Sequence, residues 1–228
     1  MTDQANSAGS GAGSAIRVLL ADDEEMIRHG VRLILRYAEG IEVVGEAVDG
    51  AEAVRLAAEY RPDVVLLDVR MPVLDGLAAV EPLVALAPAP QVVMLTTFGD
   101  EENVTRALRA GATGFLLKDE GPQELIRAVR AAAVGDAVLS PGVTGTVIRR
   151  MLSGGGATDP GSRVAGLTGR EREVLVMLGE GLSNPQIGKR LGIGVGTVKT
   201  HVRSILEKTG CSGRVQAALL AHQAGLMG

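Results

Sequence analysis

Aromatic side chains are scarce in this chain: 228 residues hold no Trp, two Phe and two Tyr. Stacking of bases on aromatic platforms is therefore excluded as a main activity. With 46% hydrophobic residues the cores must be built from Leu, Val, Ile and Ala. There is a single cysteine, Cys211, so no internal disulfide is available, which fits a reducing cytosol. No apolar run approaches the ~18–20 residues that a membrane span needs. The first residues, MTDQANSAGSGAGSA, carry neither a basic nor an apolar stretch, so they do not form a secretory signal. Residues 1–14 read as a disordered Gly/Ser/Ala tail. These absences point to a cytoplasmic chain with no membrane partner and, at roughly 100–200 residues per domain, one or two domains.

Charge is unevenly spread. Residues 1–162 hold 14 Lys and Arg against 23 Asp and Glu, a net of −9, whereas residues 163–228 hold 9 against 4, a net of +5. An acidic part joined to a basic part implies two tasks, and the basic part suits a polyanion.

Within residues 15–135 short apolar runs alternate with helical periodicity. Strands are expected at 15–21, 41–47, 63–68, 91–97 and 113–118. Helices follow at 24–38, 50–60, 76–87 (interrupted by Pro82), 100–111 and 122–135. In the first helix Met26, Ile27, Ile34 and Leu35 fall on or near one face. Five βα units imply an α/β fold with a five-stranded, parallel, doubly wound sheet. Residues 136–163 break the pattern with SPGVTG and SGGGATDPGS, a linker with room for a short helix at Val143–Leu152. Residues 164–228 read as a small all-α domain of four helices. Thr168 with Glu171, and Ser183 with Gln186, have capping-box spacing.

In RPDVVLLDVRMPVLDG, residues 61–76, an apolar strand ends on a carboxylate, Asp68. Open parallel sheets bind ligands beyond the carboxyl ends of their strands. Asp22 and Asp23 end the first strand, Thr96 the fourth and Lys118 the fifth, so one crevice gathers three carboxylates, a hydroxyl and an ammonium. Carboxylates so placed repel each other unless a cation intervenes, and an all-oxygen donor set favours Mg²⁺. A spare carboxylate is then available as a nucleophile toward phosphorus, with Lys118 and Thr96 facing the transferred group. Taken singly, each residue has a plainer role: Asp22 or Asp23 as a helix cap, Asp68 as a turn residue, Lys118 as a solvated lysine.

The segments LADDEE, DVVLLDVRMPVLDG, VVMLTTF and GATGFLLKD make residues 16–134 similar to the receiver domain of two-component response regulators. The resemblance implies Asp68 as phosphoacceptor, Asp22, Asp23 and the backbone carbonyl of Arg70 as Mg²⁺ ligands beside Asp68, Lys118 as the phosphate-binding lysine, and Thr96 with Phe115 as a switch pair. Phe115 stands where Tyr is common and lacks its hydroxyl.

In the basic part, GVGTVKTHVRSILEK places Val198, Val202, Ile205 and Leu206 on one helical stripe and Lys199, Thr200 and Arg203 on another. The polar stripe suits a major groove, where Lys and Arg donate to guanine. Ser183, Asn184 and Thr197 sit near helix N-termini, where phosphate is bound. Through LTGREREVL, GLSNPQIGKRLGIGVGTVKTHV and KTGCSGRVQAAL, residues 167–226 resemble the LuxR/FixJ/NarL-type helix-turn-helix domain. That resemblance implies double-stranded DNA as a partner, read by Lys199, Thr200 and Arg203, and a two-fold partner surface on the last helix around Val215, Ala218, Leu219, His222 and Leu226. Gly188 and Gly194 depart from the family's usual Ala and Ser.

The expected function is a transcription regulator phosphorylated on Asp68 by a histidine kinase, a homodimer when active, and not an enzyme. A Mg²⁺-dependent phosphohydrolase and a DNA-binding protein with an unphosphorylated receiver fold remain the alternatives.

Overall fold

A computed structural model of the chain describes residues 15–97, 101–139 and 159–227. The tail over 1–14 and the helix expected at 143–152 lie outside the described residues.

The acidic part forms β1 (Ile16–Ala21), α1 (Glu25–Arg36), β2 (Ile41–Ala47), α2 (Gly50–Tyr60), β3 (Val64–Asp68), α3 (Gly76–Val84), β4 (Gln91–Thr96), α4 (Glu101–Ala110), β5 (Gly114–Leu117), α5 (Pro122–Ala133) and β6 (Val138–Leu139). Strand order is β2-β1-β3-β4-β5-β6, all neighbours parallel. The sheet thus has six strands where five were expected. The addition is two residues long, pairing Gly114 with Val138 and Phe115 with Leu139, too short to leave a periodic signal.

Strand alternation divides two cores. Leu19, Val65 and Leu67 point to the side covered by α2, α3 and α4, with Ala53, Leu83 and Val104. Val18, Val64 and Leu66 point to the other, with Leu35 of α1 and Val129 of α5. Each fully buried Val or Leu contributes roughly 1.5–3 kcal/mol, which is how a chain without Trp holds its sheet. Met26 is not part of this packing: it is 85% exposed, because it lies off the stripe of Ile27, Val31, Ile34 and Leu35 that faces the sheet.

The basic part forms α6 (Pro160–Val164), α7 (Gly169–Gly179), α8 (Asn184–Leu191), α9 (Val195–Thr209) and α10 (Arg214–Gln223). Both capping boxes form, Thr168 with Glu171 and Ser183 with Gln186. Gly192 ends α8 in the left-handed conformation, φ 67°. At Gly188 the family's Ala would put a Cβ 2.8 Å from the Ile193 carbonyl oxygen, so the tight turn after α8 goes with the missing methyl. Val198 and Ile205 are fully buried, as their stripe predicts, with Val202 and Leu206 partly buried beside them.

Glu171 ties α7 to α9. Its carboxylate accepts from Lys208 Nζ at 2.8 Å, Ser204 Oγ at 2.6 Å and the Thr168 N–H at 2.8 Å. The Lys208 and Ser204 hydrogen bonds, then the Thr168 backbone, hold its pKa at about 2, against an ordinary 4.5. A depressed carboxylate stabilises the native state fully above the unfolded pKa, and that contribution is lost as pH falls through the folded value. Helical circular dichroism of the wild type is therefore expected to weaken between about pH 4.5 and 2. Glu171→Gln should lower stability at pH 7 and flatten this acid dependence; an unchanged acid limb would show that Glu171 carries no such load.

Candidate functional site

β1 and β3 run in parallel register, with Ala21 beside Leu67, so their carboxyl ends deliver Asp22 and Asp68 to one place. Asp68 is followed by a loop that returns to start α3 at Gly76. A Cβ at Gly76 would lie 1.8 Å from the Asp68 carbonyl oxygen. The glycine of LDG is thus what lets the helix start against the strand end. Lys118 follows β5, and its N–H donates to the Thr96 carbonyl at 2.7 Å, joining the ends of β4 and β5.

The side chains meet as the strand ends require. Lys118 Nζ is 2.7 Å from Asp22 Oδ2 and 3.1 Å from Asp68 Oδ1, and Glu24 lies 4.0 Å away. Asp22, Asp68 and Thr96 are buried, at 3%, 6% and 7% exposure, while Asp23 is exposed. Asp22 Oδ1 accepts from the Glu24 N–H at 3.0 Å. Asp22 Oδ2 is buried with no aligned donor beyond its ion pair. One oxygen from each of Asp22, Asp23 and Asp68 lies within 4.8 Å of the others. Burial, countered by Lys118 and reinforced by the Asp22 charge, raises the Asp68 pKa above its ordinary value. Lys118 is held above its ordinary value too: desolvation opposes its charge, but the two carboxylates outweigh it.

These residues open into a cleft of about 250 Å³ lined by Asp23, Glu24, Asp68, Arg70, Thr96, Thr97, Asn103 and Lys118. Three carboxylates with an oxygen each within 4.8 Å of the others, and no His or Cys among them, fit a hard divalent cation. A carboxylate beside a buried ammonium fits an incoming phosphoryl group. Glu24, Thr97 and Asn103 were not anticipated as lining residues. Thr97 neighbours Thr96 in sequence, but Asn103, in the first turns of α4, carries no local signal. Phe115 is fully buried in the core on the α4 side, one strand from the cleft.

The residues singled out in the basic part do not share one open surface. Thr197, Lys199, Thr200 and Arg203 are exposed, whereas Ser183 is half-buried and Asn184 buried; Arg203 Nε pairs with Glu207 at 2.9 Å, and the Thr200 hydroxyl donates to the Gly196 carbonyl at 3.1 Å. The Ser183 hydroxyl caps α8. Lys199 Nζ donates to the Ala133 carbonyl, at the end of α5, at 3.0 Å. Asn184 is 2% exposed: its N–H donates to Asp136 Oδ1 at 2.9 Å, its Nδ2 to the Val134 carbonyl at 2.6 Å, and its Oδ1 accepts from Arg214 NH1 at 2.7 Å. Arg214 also donates to the Gly135 and Leu182 carbonyls. Burial lowers its pKa, opposed by Asp136 at 3.9 Å.

The α/β unit therefore lies over the helix-turn-helix. The polar face of α9 looks across a groove of about 560 Å³ toward the loop from Val84 to Gln91. On α10, Val215 joins the core on the α4 side, Leu219 packs beside it, and Gln216 Nε2 donates to the Leu108 and Arg109 carbonyls of α4 at 3.3 and 3.1 Å. Gly111 makes this approach possible: with φ +106°, its missing Cβ would lie 2.5 Å from the Ser212 carbonyl oxygen. The apolar surplus expected on the last helix is in part spent on the same chain.

Comparison with known proteins agrees with both halves of this architecture. A sequence model of the response regulator receiver domain matches residues 18–130, and one of bacterial regulatory proteins of the luxR family matches residues 165–221. The transcriptional regulatory protein LiaR of Bacillus subtilis (strain 168) is 42% identical over 208 residues, covering 91% of this chain and 97% of LiaR. The nitrate/nitrite response regulator protein NarL of Escherichia coli (strain K12) is 38% identical over 206 residues, covering 90% of this chain and 94% of NarL. The crystal structure of response regulator ChrA, from a heme-sensing two-component system, aligns over 93% of this chain and 99% of ChrA with a TM-score of 0.52 and 37% identity. With a receiver unit, a LuxR-type unit and near full-length relatives well above 30% identity, the chain belongs to the NarL/LuxR family of response regulators, phosphorylation-dependent, DNA-binding transcription regulators.

Proposed function

We propose that Asp68 is the phosphoacceptor through which a histidine kinase controls promoter binding by α9. The observation that carries this is the buried Asp22–Lys118–Asp68 ion-pair triad at the carboxyl edge of the sheet. One Asp68 oxygen forms the new P–O bond as the P–N bond of a phosphohistidine breaks, and the released imidazole takes up a proton from solvent. Lys118 pairs with the incoming phosphoryl oxygens, and the Thr96 hydroxyl donates to one of them. Asp22, Asp23, Asp68 and the Arg70 carbonyl would hold Mg²⁺. Bound there, the ion supplies positive charge that relieves carboxylate repulsion and offsets the phosphoryl charge. A cleft of about 250 Å³ with polar walls suits phosphoryl storage better than turnover of an organic substrate.

The described arrangement is the off state of this account. In it the exposed Lys199 spends one of its donors on the Ala133 carbonyl, and Asn184 is buried against the end of α5. α4 joins the two events: Asn103 near its start lines the cleft, and the Leu108 and Arg109 carbonyls at its end hold Gln216. Recruitment of Thr96 to the phosphoryl group moves α4 against the sheet over buried Phe115, and the clasp on α10 loosens. Because residue 115 is Phe, this coupling runs through ring packing and not through a tyrosine hydroxyl. Release frees Lys199, Thr200 and Arg203 for the major groove, with Thr197, Ser183 and Asn184 near the phosphates. It also frees Val215 and Leu219 for a second copy, so the active form is a homodimer acting in the cytoplasm.

Three outcomes are expected. Asp68→Asn abolishes Mg²⁺-dependent labelling by a small phosphodonor, since an amide is a poor nucleophile; undiminished, acid-stable label on that variant would remove Asp68 from the account. The second concerns stability. A carboxylate whose folded pKa is raised binds its proton more tightly in the native state, so stability falls as pH rises from the ordinary carboxylate range through the raised value, and the cost is full at pH 7. Asp68→Asn should melt no lower than wild type at pH 7, with a flatter pH slope, whereas a clearly lower melting temperature would give the Lys118 pair the larger weight. Third, Arg203→Ala should cost roughly 1–3 kcal/mol at one base position per half-site and relax preference there. Uniform weakening across sequences, with a salt slope reduced by about one, would instead assign Arg203 to phosphate.

A further inference from the structure

An α-helix leaves its last carbonyls without intrahelical donors, and its dipole makes that end partly negative. At the end of α5 three consecutive carbonyls are each taken by a side chain of the basic part: Ala133 by Lys199 at 3.0 Å, Val134 by Asn184 at 2.6 Å and Gly135 by Arg214 at 3.2 Å. Asp136 adds a carboxylate, which accepts the Asn184 N–H at 2.9 Å. That N–H belongs to the first residue of α8. An ammonium, a guanidinium, a side-chain amide and a helix N-terminal N–H are the donors proteins use for a DNA phosphate. The acceptors matched to them are compact and oxygen-only: three carbonyls at the negative end of a helix and one carboxylate.

We propose that residues Ala133–Asp136 are a built-in substitute for a DNA backbone phosphate, so that the receiver unit and duplex DNA compete for the same donors. This rests on the proposal that Asn184 and Lys199 face DNA. It adds that closure is not simply a lid over α9. The two partners exclude each other group by group, and a polyanion alone shifts the unphosphorylated chain toward the open form by mass action. Two features favour competition over mere covering. Asn184 is 2% exposed, with its N–H and both side-chain polar groups engaged at this contact. Gly135, φ +84°, has no Cβ; one would lie 2.7 Å from Asn184 Nδ2, so the backbone is bared where the amide arrives.

The test uses the full, unphosphorylated chain with dyes on cysteines introduced at the exposed positions Glu59 and Ala165, native Cys211 being buried. Energy transfer and DNA binding are followed together during titration with a scrambled duplex at low salt, and again with short-chain inorganic polyphosphate. The proposal predicts that transfer falls in proportion to bound duplex, and that polyphosphate, which has no bases, also opens the chain. Asp136→Ala should lower the half-opening concentration about 5–10-fold, the worth of one ordinary net hydrogen bond. Asp136→Asn, which keeps an acceptor oxygen and the fold, should shift it in the same direction by less. Duplex binding with unchanged transfer, or half-opening concentrations unmoved in both variants, would overturn the proposal while leaving the phosphorylation account standing. A phosphorylated chain that binds no duplex at all would overturn both.

Discussion

Every βα unit of the receiver reverses the chain, so strands and helices run in opposite directions, and the two edges of the sheet acquire opposite character. The carboxyl ends of β1, β3 and β5 collect Asp22, Asp68 and Lys118 at one edge. The carboxyl ends of α4 and α5 collect free carbonyls at the other, and these hold Gln216, Asn184, Lys199 and Arg214. Chemistry and restraint are thereby separated by the length of a helix, yet joined by it. α4 has Asn103 at the first edge and its Gln216 clasp at the second.

Electrostatics underlies the proposed switch. Lys118 pairs with two buried carboxylates, and burial, with the Asp22 charge, still raises the Asp68 pKa against it. Adding a phosphoryl group changes the charge beside the buried Asp22–Lys118 pair. At the far edge the contacts are individually modest, mostly neutral carbonyls facing cationic or amide donors, so a shift of a few kcal/mol decides between states. A C-terminal part with net charge +5 needs a negative surface to rest on while it is not on DNA, and helix ends provide one without a cluster of acidic side chains.

Much of this was legible in the residues. Five strands, nine helices and both capping boxes follow from periodicity, from Gly111, Gly181 and Gly192 at helix ends, and from Ser and Thr at helix starts; α6, five residues within the stretch read as linker, does not. The cleft followed from where apolar runs stopped, at Asp22, Asp68, Thr96 and Lys118. What stayed hidden has a common cause. Asp136 and Asn184 are 48 residues apart and Gln216 lies 108 from Leu108, and such contacts leave no local pattern. Their acceptors are mostly backbone carbonyls, which every residue has. β6 is two residues long, below any period, and Met26 is apolar but sits one residue before the stripe that begins at Ile27. The set Val215, Ala218, Leu219, His222 and Leu226 exceeds what the small domain needs, but nothing in its spacing says that Val215 and Leu219 are the ones that pack against the α4 side.

The central claim is that phosphorylation at one edge of the sheet releases the groups held at the other. The direct measurement is the affinity of the full chain for a duplex selected from random DNA, for wild type and Asp68→Asn, each with and without a small phosphodonor and Mg²⁺. The account predicts a single tight case, wild type with phosphodonor, and three weaker ones alike. Equal affinity in all four would contradict it, since the donors on α8 and α9 would then reach DNA whatever the state of Asp68.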